Sequence, residues 1–354
     1  MNKNRVSILG LMSGTSLDGI DLAYVTFQKE EYQNFQIVFA ETIPYPKKWR
    51  TILQNALHEN HEKLMELSIK YGDYIGKEIN HFVKKYHINS IDFIASHGHT
   101  ILHQPEKGIT LQIGDGQTIA NKTHQKVVCD FRTQDVALGG QGAPLVPIGD
   151  ELLFAQYDYC MNLGGFANVS SNENGRRIAF DICPVNVVLN FYANKLGFDF
   201  DANGDIAKSA TFDEALFHQL NTLDYYSKNP PKSLGIEWVQ KTIFPILEAS
   251  KATPQTILRT FSDHIAYQIA NTISEGKKVL CTGGGTYNTY LLEKLIFFKN
   301  CDLIIPDKNL IEFKEALIFA FLGLLRIDNQ INCLSSVTGA QKNHSSGVLF
   351  YPNP

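Results

Sequence analysis

The chain has 354 residues, of which 44% are hydrophobic and 19% are charged, and its formal net charge is -4. These values suit one large or two ordinary globular domains and exclude a disordered chain. The slight negative charge excludes the broad basic surface that nucleic acid or an anionic membrane attracts, and no apolar run approaches the ~18 residues of a membrane span.

The start of the chain and its cysteines indicate the compartment. Met1 to Arg5 lead into a predicted strand without the apolar segment of a signal peptide. No two cysteines form a Cys-x-x-Cys pair, so we expect reduced, mostly buried thiols in a cytoplasmic protein. These cysteines are Cys129, Cys160, Cys183, Cys281, Cys301 and Cys333.

Strand and helix patterns alternate along the first half of the chain. The apolar runs Arg5–Leu11, Ile20–Phe27 and Gln36–Ile43 predict three consecutive antiparallel strands. Apolar residues at helical spacing predict helices farther on. The elements predicted after the three strands are helices Lys47–Leu57 and His61–Tyr86, strands Ile91–Ala95 and Thr110–Ile113, helix Gln117–Thr123 and strand Lys126–Cys129.

The second half shows a similar pattern after Leu138–Pro147, a segment dense in Gly and Pro that is typical of a domain junction. Three strands are again predicted in succession. The predicted elements are strands Tyr159–Leu163, Ala167–Ser170 and Arg177–Phe180, helix Pro254–Ser274, strand Lys278–Cys281, a helix opening near Asn288, strand Asp302–Ile305 and helix Phe313–Arg326.

The chain therefore contains one plan twice: three meandering strands with a small-residue loop after the first, then helices and further strands. A duplicated plan of this kind predicts an α/β protein of two lobes with a cleft between them. We expect the first lobe to contain residues 1–137 and about 330–354, and the second lobe residues 138–329.

Three Gly-rich loops follow predicted strands: Ser13–Gly19, Asn162–Asn168 and Thr282–Asn288. None is a Walker A or G-x-G-x-x-G motif, and a single loop of this kind is usually only a turn. Three of them favour a split nucleotide site in which two hairpin loops bind phosphates and the third lies against adenosine. Outside the first loop, the predicted ATP-binding residues are Gly164, Gly165, Asn168, Gly283, Gly284, Gly285 and Asn288.

Acidic residues beside these loops allow two interpretations each. Asp18 and Asp21 flank Gly19, where Asp18 either takes a left-handed turn conformation or orients Mg²⁺ through water beside the phosphates. Asp181 ends a predicted strand before Pro184, where it is either a helix N-cap or a general base.

Nine segments occur in the order found in one family. They are "GLMSGTSLDGIDLAYV", "SHGHT", "LQIGD", "DFRTQDVALGGQGAPLVP", "MNLGGFANVS", "FDICPVN", "CTGGGTYN", "EALIFAFLG" and "VTGA". Together they resemble anhydro-N-acetylmuramic acid kinases over essentially the whole chain. The resemblance implies the duplicated actin/hexokinase-like (ribonuclease H-like) fold, and it leaves a homodimer possible.

The resemblance also implies the reaction and its residues. MgATP and water would act on 1,6-anhydro-N-acetylmuramic acid: water opens the anhydro bridge, O6 takes the γ-phosphoryl group, and N-acetylmuramic acid 6-phosphate enters cell-wall recycling. Asp181 would be the base that deprotonates water. The residues that would hold the ATP phosphates are Gly14, Thr15, Ser16, Leu17, Asp18, Gly19, Ile20 and Asp21. Those on the sugar side are Thr110, Gln112, Asp115, Asp130, Arg132 and Glu315.

Some of these residues have simpler explanations, and some positions depart from the family. Arg132 could bind the lactyl carboxylate or form a surface ion pair, and Glu315 could be a first-turn acid favoured by the helix dipole. Asp181-Ile-Cys-Pro-Val-Asn186 replaces Asp-Thr-Gly-Pro-Gly-Asn, and His99 replaces Gln. These changes leave open a kinase for another 1,6-anhydro sugar.

Two other classes of function stay open at this stage. His97, His99 and His103 form an H-x-H-x-x-x-H pattern after a predicted strand, which is one style of metal site and suggests a metal-dependent hydrolase. A nucleotide-binding clamp without phosphotransfer is the non-enzymatic alternative, because the Asp181 segment is altered.

Overall fold

The computed structural model describes residues 5–14 and 17–354. The chain forms two compact units, which we call unit 1 (residues 1–154 and 313–354) and unit 2 (residues 155–312). The expected divisions at 137/138 and about 329/330 differ from these. Two helices account for the difference. Helix Pro147–Leu153 and most of helix Lys308–Ile327 belong to unit 1.

The strands alternate with helices as the sequence predicts. The strands are β1 (Arg5–Ser13), β2 (Gly19–Gln28), β3 (Glu31–Pro44), β4 (Phe93–Gln104), β5 (Ile109–Ile113), β6 (Val127–Cys129), β7 (Tyr159–Leu163), β8 (Phe166–Glu173), β9 (Arg176–Pro184), β10 (Lys278–Thr282), β11 (Asp302–Ile304) and β12 (Val348–Phe350).

The helices in the first segment of unit 1 (residues 1–154) are α1 (Lys47–Asn55), α2 (His61–Lys85), α3 (Gly116–Thr123), α4 (Thr133–Ala137) and α5 (Pro147–Leu153). Those that follow along the chain are α6 (Asn186–Asn194), α7 (Asp205–Ser209), α8 (Glu214–Asn221), α9 (Asp224–Ser227), α10 (Ile236–Trp238), α11 (Phe244–Ala249), α12 (Pro254–Thr272), α13 (Thr289–Phe298), α14 (Lys308–Ile327) and α15 (Ser335–Thr338). Short 3₁₀ turns cover Ala56–His58, Pro105–Lys107, Ala202–Gly204 and Gly284–Tyr287, and a π turn covers Val239–Ile243.

Both units contain the same sheet plan, which confirms the duplicated α/β fold. In unit 1 the strand order is β12-β6-β4-β1-β2-β3, with β5 paired to β4, and in unit 2 it is β11-β10-β7-β8-β9. In each, the first three strands form an antiparallel meander. The first strand of each meander pairs in parallel with β4 or β10, and these pair in parallel with β6 and β11, respectively.

Each unit buries its own apolar core between its sheet and its helices. In unit 1, Leu9 and Ile94 of the sheet lie in one cluster with Ile75 and Phe82 of α2. In unit 2, α12 lies in the centre of the core, and most of its faces are buried against β-strands and the neighbouring helices. No helix in the described part of the chain is long and apolar enough to cross a membrane.

Three differences from the predicted elements matter for the site. β4 does not end at Ala95 but continues to Gln104, because β5 folds back as its antiparallel partner. The apolar helix starts at Lys308 and has a non-helical residue at Phe313, so Glu315 does not lie in its first turn. Residues 186–249, for which no elements are predicted, form α6 to α11.

Candidate active site

In unit 2 the predicted site residues lie at one edge of the sheet. β7 runs parallel to β10 and antiparallel to β8, which is itself antiparallel to β9, so β7, β9 and β10 all run in the same direction. β7 and β10 are followed by Gly164 and Gly283, and Asp181 lies within β9, three residues before its carboxyl end. The carboxyl edge of such a sheet is where α/β proteins bind ligands.

Asp181 stands in a row of polar residues across three strands. Asn162 of β7 is opposite Asn168 of β8, and Asn168 is opposite Asp181 of β9. Directly opposed residues of neighbouring strands lie on the same face of a sheet. Ala167 pairs with Cys183, so Ile182 is one extra residue on β9, and such bulges redirect side chains next to active sites.

The Asp181 carboxylate is held by one backbone donor. Leu234 N–H donates to Oδ2 at 2.9 Å, and the Tyr225 hydroxyl donates to the Asp181 backbone carbonyl at 2.6 Å. Among the described residues, no donor reaches Oδ1 of this carboxylate. The N-cap alternative is wrong, because α6 begins after Val185 and has no side-chain cap. One oxygen is therefore fixed while the other can accept a proton.

Burial raises the pKa of the Asp181 carboxyl above its ordinary value, and the hydrogen bond from Leu234 acts in the opposite direction. A raised pKa makes a carboxylate a stronger base while it stays ionised near neutral pH. The arrangement can therefore take a proton from a water molecule or a hydroxyl group.

The two positions at which the family motif has glycine and this chain has a larger residue are part of the core. Cys183 and Val185 are both fully buried in the core of unit 2, and neither has a positive φ. Val185 N–H donates to the Gly165 carbonyl at 2.8 Å, and Asn186 N–H donates to the Gly164 carbonyl at 3.3 Å. The larger side chains therefore need no left-handed backbone, and the β7–β8 turn presents its backbone to the start of α6.

Gly283, the first glycine of the third loop, has a backbone conformation and a close neighbour that a side chain would not tolerate. Gly283 has a φ of +85°, and a Cβ there would lie 2.6 Å from Asn162 Oδ1. A Cβ at Gly285 would meet Leu163, whereas a Cβ at Gly284 would meet no atom within 4 Å. Gly284 is exposed, so the open face of this turn is bare backbone.

The side chains of Asn288 and Asn168 differ in how free they are to bind a ligand. Asn288 Oδ1 accepts a hydrogen bond from Leu291 N–H at 3.0 Å, so this side chain caps α13 at the predicted helix start. A buried capping group has little freedom to bind a nucleotide. Asn168 is exposed beside Asp181 and retains that freedom.

In unit 1 the first loop is defined on both sides of Thr15 and Ser16, which lie outside the described residues. Leu17 N–H donates to the Gly14 carbonyl at 3.3 Å, and Leu17, not Asp18, has the left-handed φ of 61°. Asp18 is exposed. Gly19 is required because a Cβ there would lie 2.3 Å from the Ile43 carbonyl oxygen.

The last two residues of the predicted phosphate loop belong to β2. Ile20 is fully buried in the core of unit 1, so its side chain cannot contact ATP, and only its backbone remains for that role. Asp21 points to the other face of the strand, where Thr42 Oγ1 donates to its Oδ1 at 2.5 Å.

A chain of hydroxyl groups supports the base of this loop. Ser13 Oγ lies 2.8 Å from His99 Nδ1 and 2.6 Å from the Tyr45 hydroxyl, which is itself hydrogen-bonded to the Tyr71 hydroxyl. Burial lowers the pKa of His99 to about 4, so this imidazole is neutral near pH 7. The sequence gives no signal for these contacts, because the four residues are far apart in the chain.

Arg132 is not a surface ion pair. Its Nε–H donates to His97 Nε2 at 2.9 Å, and its Nη1 donates to the Gly142 carbonyl at 2.8 Å. Since Nε2 accepts, the proton of neutral His97 is on Nδ1, which lies 3.0 Å from the Gly98 carbonyl. Burial and the Arg132 charge both lower the pKa of His97.

Glu315 belongs to the same charged group in unit 1. Desolvation by the surrounding protein raises the pKa of the Glu315 carboxyl, the Arg132 guanidinium opposes this shift, and the Asp21 charge adds to it. Lys314, which precedes Glu315 in the chain, forms a buried ion pair with Asp150, with Nζ 2.7 Å from Oδ1. Arg132 and Glu315, two predicted sugar-side residues, are thus electrostatically coupled, and Asp21 of the predicted phosphate loop also acts on Glu315.

The β4–β5 hairpin adds polar groups beside Arg132. Thr110 Oγ1 lies 3.2 Å from His103 Nδ1 and accepts a hydrogen bond from Gln112 Nε2 at 2.9 Å. Gln112 Oε1 is buried and has no donor among the described residues, so it is an acceptor available to a ligand.

Two predicted sugar-side acids have structural roles. Asp115 Oδ2 accepts from Thr118 N–H at 2.7 Å and caps α3. Asp130 has a φ of 56°, and its Oδ1 accepts from Thr133 N–H at 3.2 Å at the start of α4.

The three histidines of the H-x-H-x-x-x-H pattern do not form a metal site among the described residues. Both ring nitrogens of His97 are hydrogen-bonded, and His99 Nδ1 faces Ser13. The register shifts between Thr100 and Leu102, which moves His103 out of alternation with the other two.

Sequence reasoning missed the segment that surrounds Asp181. Tyr225 and Leu234 supply its donors, and Lys232 lies over the Tyr225 ring at 4.9 Å. The sequence pattern places Asn162 at the end of a predicted strand and in the loop that follows, but it does not identify Asn162 as the first residue of the polar row. The aromatic and Pro-rich run after residue 222 was the one available signal.

Known proteins resemble this chain over nearly its whole length. The profile of the anhydro-N-acetylmuramic acid kinase family matches residues 6–352. The chain is 33% identical over 370 residues to the anhydro-N-acetylmuramic acid kinase of Mannheimia succiniciproducens, covering 97% of this chain and 98% of that protein. It is 31% identical over 378 residues to the protein of the same name from Bacillus thuringiensis subsp. konkukian, covering 98% and 99%.

Proposed function

Because the chain belongs to the anhydro-N-acetylmuramic acid kinase family, we propose that it uses ATP and water to convert 1,6-anhydro-N-acetylmuramic acid to N-acetylmuramic acid 6-phosphate in cell-wall recycling. The observation that carries the proposal is the Asp181 carboxylate, with one oxygen fixed by Leu234 and the other open at the carboxyl edge of a sheet. The reduced cysteines and the use of ATP suit a cytoplasmic enzyme.

Asp181 acts as the general base. Its Oδ1 takes a proton from water while the water oxygen bonds to C1 of the sugar and the C1–O6 bond breaks. O6 then bonds to the γ-phosphorus, and ADP leaves. The base needs an acceptor oxygen without a donor, and the described contacts of Asp181 supply one.

Residues of unit 1 bind and orient the sugar. Arg132 and the buried acceptor Gln112 Oε1 offer a cation for the lactyl carboxylate and an oxygen for a sugar hydroxyl or amide. Thr110 and Glu315 lie in the same polar group and complete the donors and acceptors that a small charged sugar requires.

The glycine-rich loops bind the nucleotide. Gly14 and residues 17–19 of the first loop and the Gly164–Gly165 turn offer backbone groups to phosphates, and Gly283–Gly285 offers a bare turn to adenosine. Mg²⁺ fits the donor set, since Asp18 is an exposed carboxylate next to the loop. When bound, Mg²⁺ neutralises phosphate charge, while the loop fixes the position of the phosphates.

A coupled ADP assay tests this function. We expect ADP release with 1,6-anhydro-N-acetylmuramic acid, weaker release with 1,6-anhydro-N-acetylglucosamine, and none with open N-acetylmuramic acid. In ¹⁸O-labelled water, one label should appear at the anomeric oxygen and none in the phosphate. Release with 1,6-anhydro-N-acetylglucosamine but not with 1,6-anhydro-N-acetylmuramic acid would assign the chain to another 1,6-anhydro sugar, and label in the phosphate would contradict the mechanism.

The same preparation tests the homodimer that the resemblance leaves possible. Sedimentation at several concentrations distinguishes one chain of 39.7 kDa from two. Sugar-independent ATP binding with no ADP release would support the non-catalytic clamp, although nothing in the described contacts of Asp181 favours it.

A further inference from the structure

Unit 1 contains a further group of chemically active side chains that the proposed reaction does not use. Asp135 of α4 meets Cys333 and His344 of the C-terminal segment. Cys333 Sγ lies 3.2 Å from Asp135 Oδ1, and His344 Nε2 lies 3.6 Å from the same oxygen. A carboxylate, a thiol and an imidazole are the three ligand types that Zn²⁺ prefers.

The three side chains are buried, and one has an unused lone pair. Asp135, Cys333 and His344 are 0%, 1% and 6% exposed. His344 Nδ1 lies 3.1 Å from the Lys342 carbonyl, so Nδ1 carries the proton and Nε2 is the acceptor. Nε2 has no hydrogen-bond partner in the described part of the chain, and it faces the thiol and the carboxylate.

The spacing of the atoms suits a shared ion. Tetrahedral zinc with bonds of about 2.0–2.3 Å places its ligand atoms about 3.3–3.5 Å apart. The observed separations of 3.2 Å and 3.6 Å bracket that range. A thiolate and a carboxylate would also neutralise a divalent cation, so the occupied site carries no net charge into the core.

The backbone arranges these ligands in advance. Cys333 and His344 exchange backbone hydrogen bonds of 3.1 Å and 3.2 Å, which hold their side chains next to each other. Gly142 N–H and the Thr338 hydroxyl donate to Asp135 at 2.7 Å and 2.8 Å. Carboxylate ligands of metals are usually supported by hydrogen bonds of this kind.

We propose that Asp135, Cys333 and His344 form a Zn²⁺ site with three protein ligands that joins the C-terminal segment to α4. The ion replaces the proton that the Cys333 thiol donates to Asp135, so binding one Zn²⁺ releases one proton. Arg132 is the residue directly before α4, so the site also helps to position that guanidinium. The inference is independent of the kinase function and stands or falls on metal binding.

Untagged full-length protein, stripped with a chelator and reloaded with Zn²⁺ or Co²⁺, tests the site. We expect one ion per chain by elemental analysis, one proton released per ion, and a thiolate-to-cobalt charge-transfer band for the Co²⁺ form. Zinc should raise the melting temperature of the stripped protein. Less than 0.1 ion per chain, or a cobalt spectrum without the thiolate band, would overturn the proposal.

Two variants and a control locate the ion. Cys333→Ser and His344→Ala should each weaken Zn²⁺ binding at least about 100-fold, whereas Cys129→Ser, another buried cysteine of unit 1, should leave it unchanged. Equal binding by Cys333→Ser and the wild type would place the ion elsewhere and refute the assignment. If either variant fails to fold, the cobalt spectrum and proton release of the wild type still decide.

Discussion

The Asp181→Asn substitution removes the ionisable carboxylate and keeps the shape of the side chain. The amide oxygen of asparagine can accept the 2.9 Å hydrogen bond from Leu234 N–H, so the segment around residue 234 should stay in place. The change from a charged to a neutral acceptor costs stability of only about 1 kcal/mol. Any larger effect on turnover therefore reflects the loss of the base.

The expected loss follows from the role of a general base. Such groups contribute roughly 10²–10⁴-fold to rate, which corresponds to about 2.7–5.4 kcal/mol of activation free energy. Burial raises the pKa of Asp181, so wild-type kcat/KM should fall as the pH decreases through that pKa, because the protonated acid cannot accept a proton. The asparagine variant should lack this acidic limb.

The coupled ADP assay measures both effects, and calorimetric titration with a non-hydrolysable ATP analogue measures nucleotide affinity. We expect kcat to fall by at least about 100-fold with nucleotide affinity changed less than about threefold. Asp199→Asn, an exposed acid of the same unit, is the matched control and should behave as the wild type. Turnover of Asp181→Asn within about threefold of wild type would refute the assignment of the base.

Three further substitutions test other parts of the site. Arg132→Ala should raise the KM for sugar about 10–100-fold and change the KM for ATP little. Arg50→Ala, at an exposed arginine, is the control, and a larger rise in the KM for ATP than for sugar would assign Arg132 to the nucleotide. Gly283→Ala should lower the urea unfolding free energy by at least about 2 kcal/mol, because φ is +85°, whereas Gly284→Ala should not; equal effects would contradict the close approach. Burial lowers the pKa of His99 to about 4, so below pH 6.5 the unfolded chain takes up a proton that the folded protein does not, and the wild type loses stability. Between pH 7 and pH 5 the unfolding free energy of the wild type should fall by about 2 kcal/mol more than that of His99→Gln. Equal pH dependence of the two unfolding free energies would refute this.

The sequence predicts the strands and loops well because their signals are local. The three strands of each meander lie where alternating apolar runs place them, and the small-residue loops follow the predicted strand ends. β4 shows the limit of such signals. Its continuation from Ser96 to Gln104 depends on pairing with β5, a partner that the residues of β4 do not specify.

The contacts that shape Asp181 depend on long-range packing. Its donors come from Tyr225 and Leu234, which are 44 and 53 residues farther along the chain. A local pattern identifies a carboxylate at a strand end but cannot tell a helix cap from a base. That distinction follows from where α6 starts and from which oxygen Leu234 reaches.

The two sheets have equivalent rows of residues, and the difference between them supports the proposal that Asp181 is the base. In unit 1, Met12, Asp21 and Thr42 lie opposite one another on β1, β2 and β3, and the Thr42 hydroxyl donates to Asp21 at 2.5 Å. The neighbouring strand therefore supplies a side-chain donor to this carboxylate.

In unit 2 the corresponding row is Asn162, Asn168 and Asp181, with the carboxylate on the third strand. Only a backbone N–H from Leu234 reaches it within the described residues, and burial acts to raise its pKa. The same strand plan thus places one carboxylate where a hydroxyl stabilises its charge and another where burial favours proton uptake. The second arrangement is the one that proton abstraction from water requires.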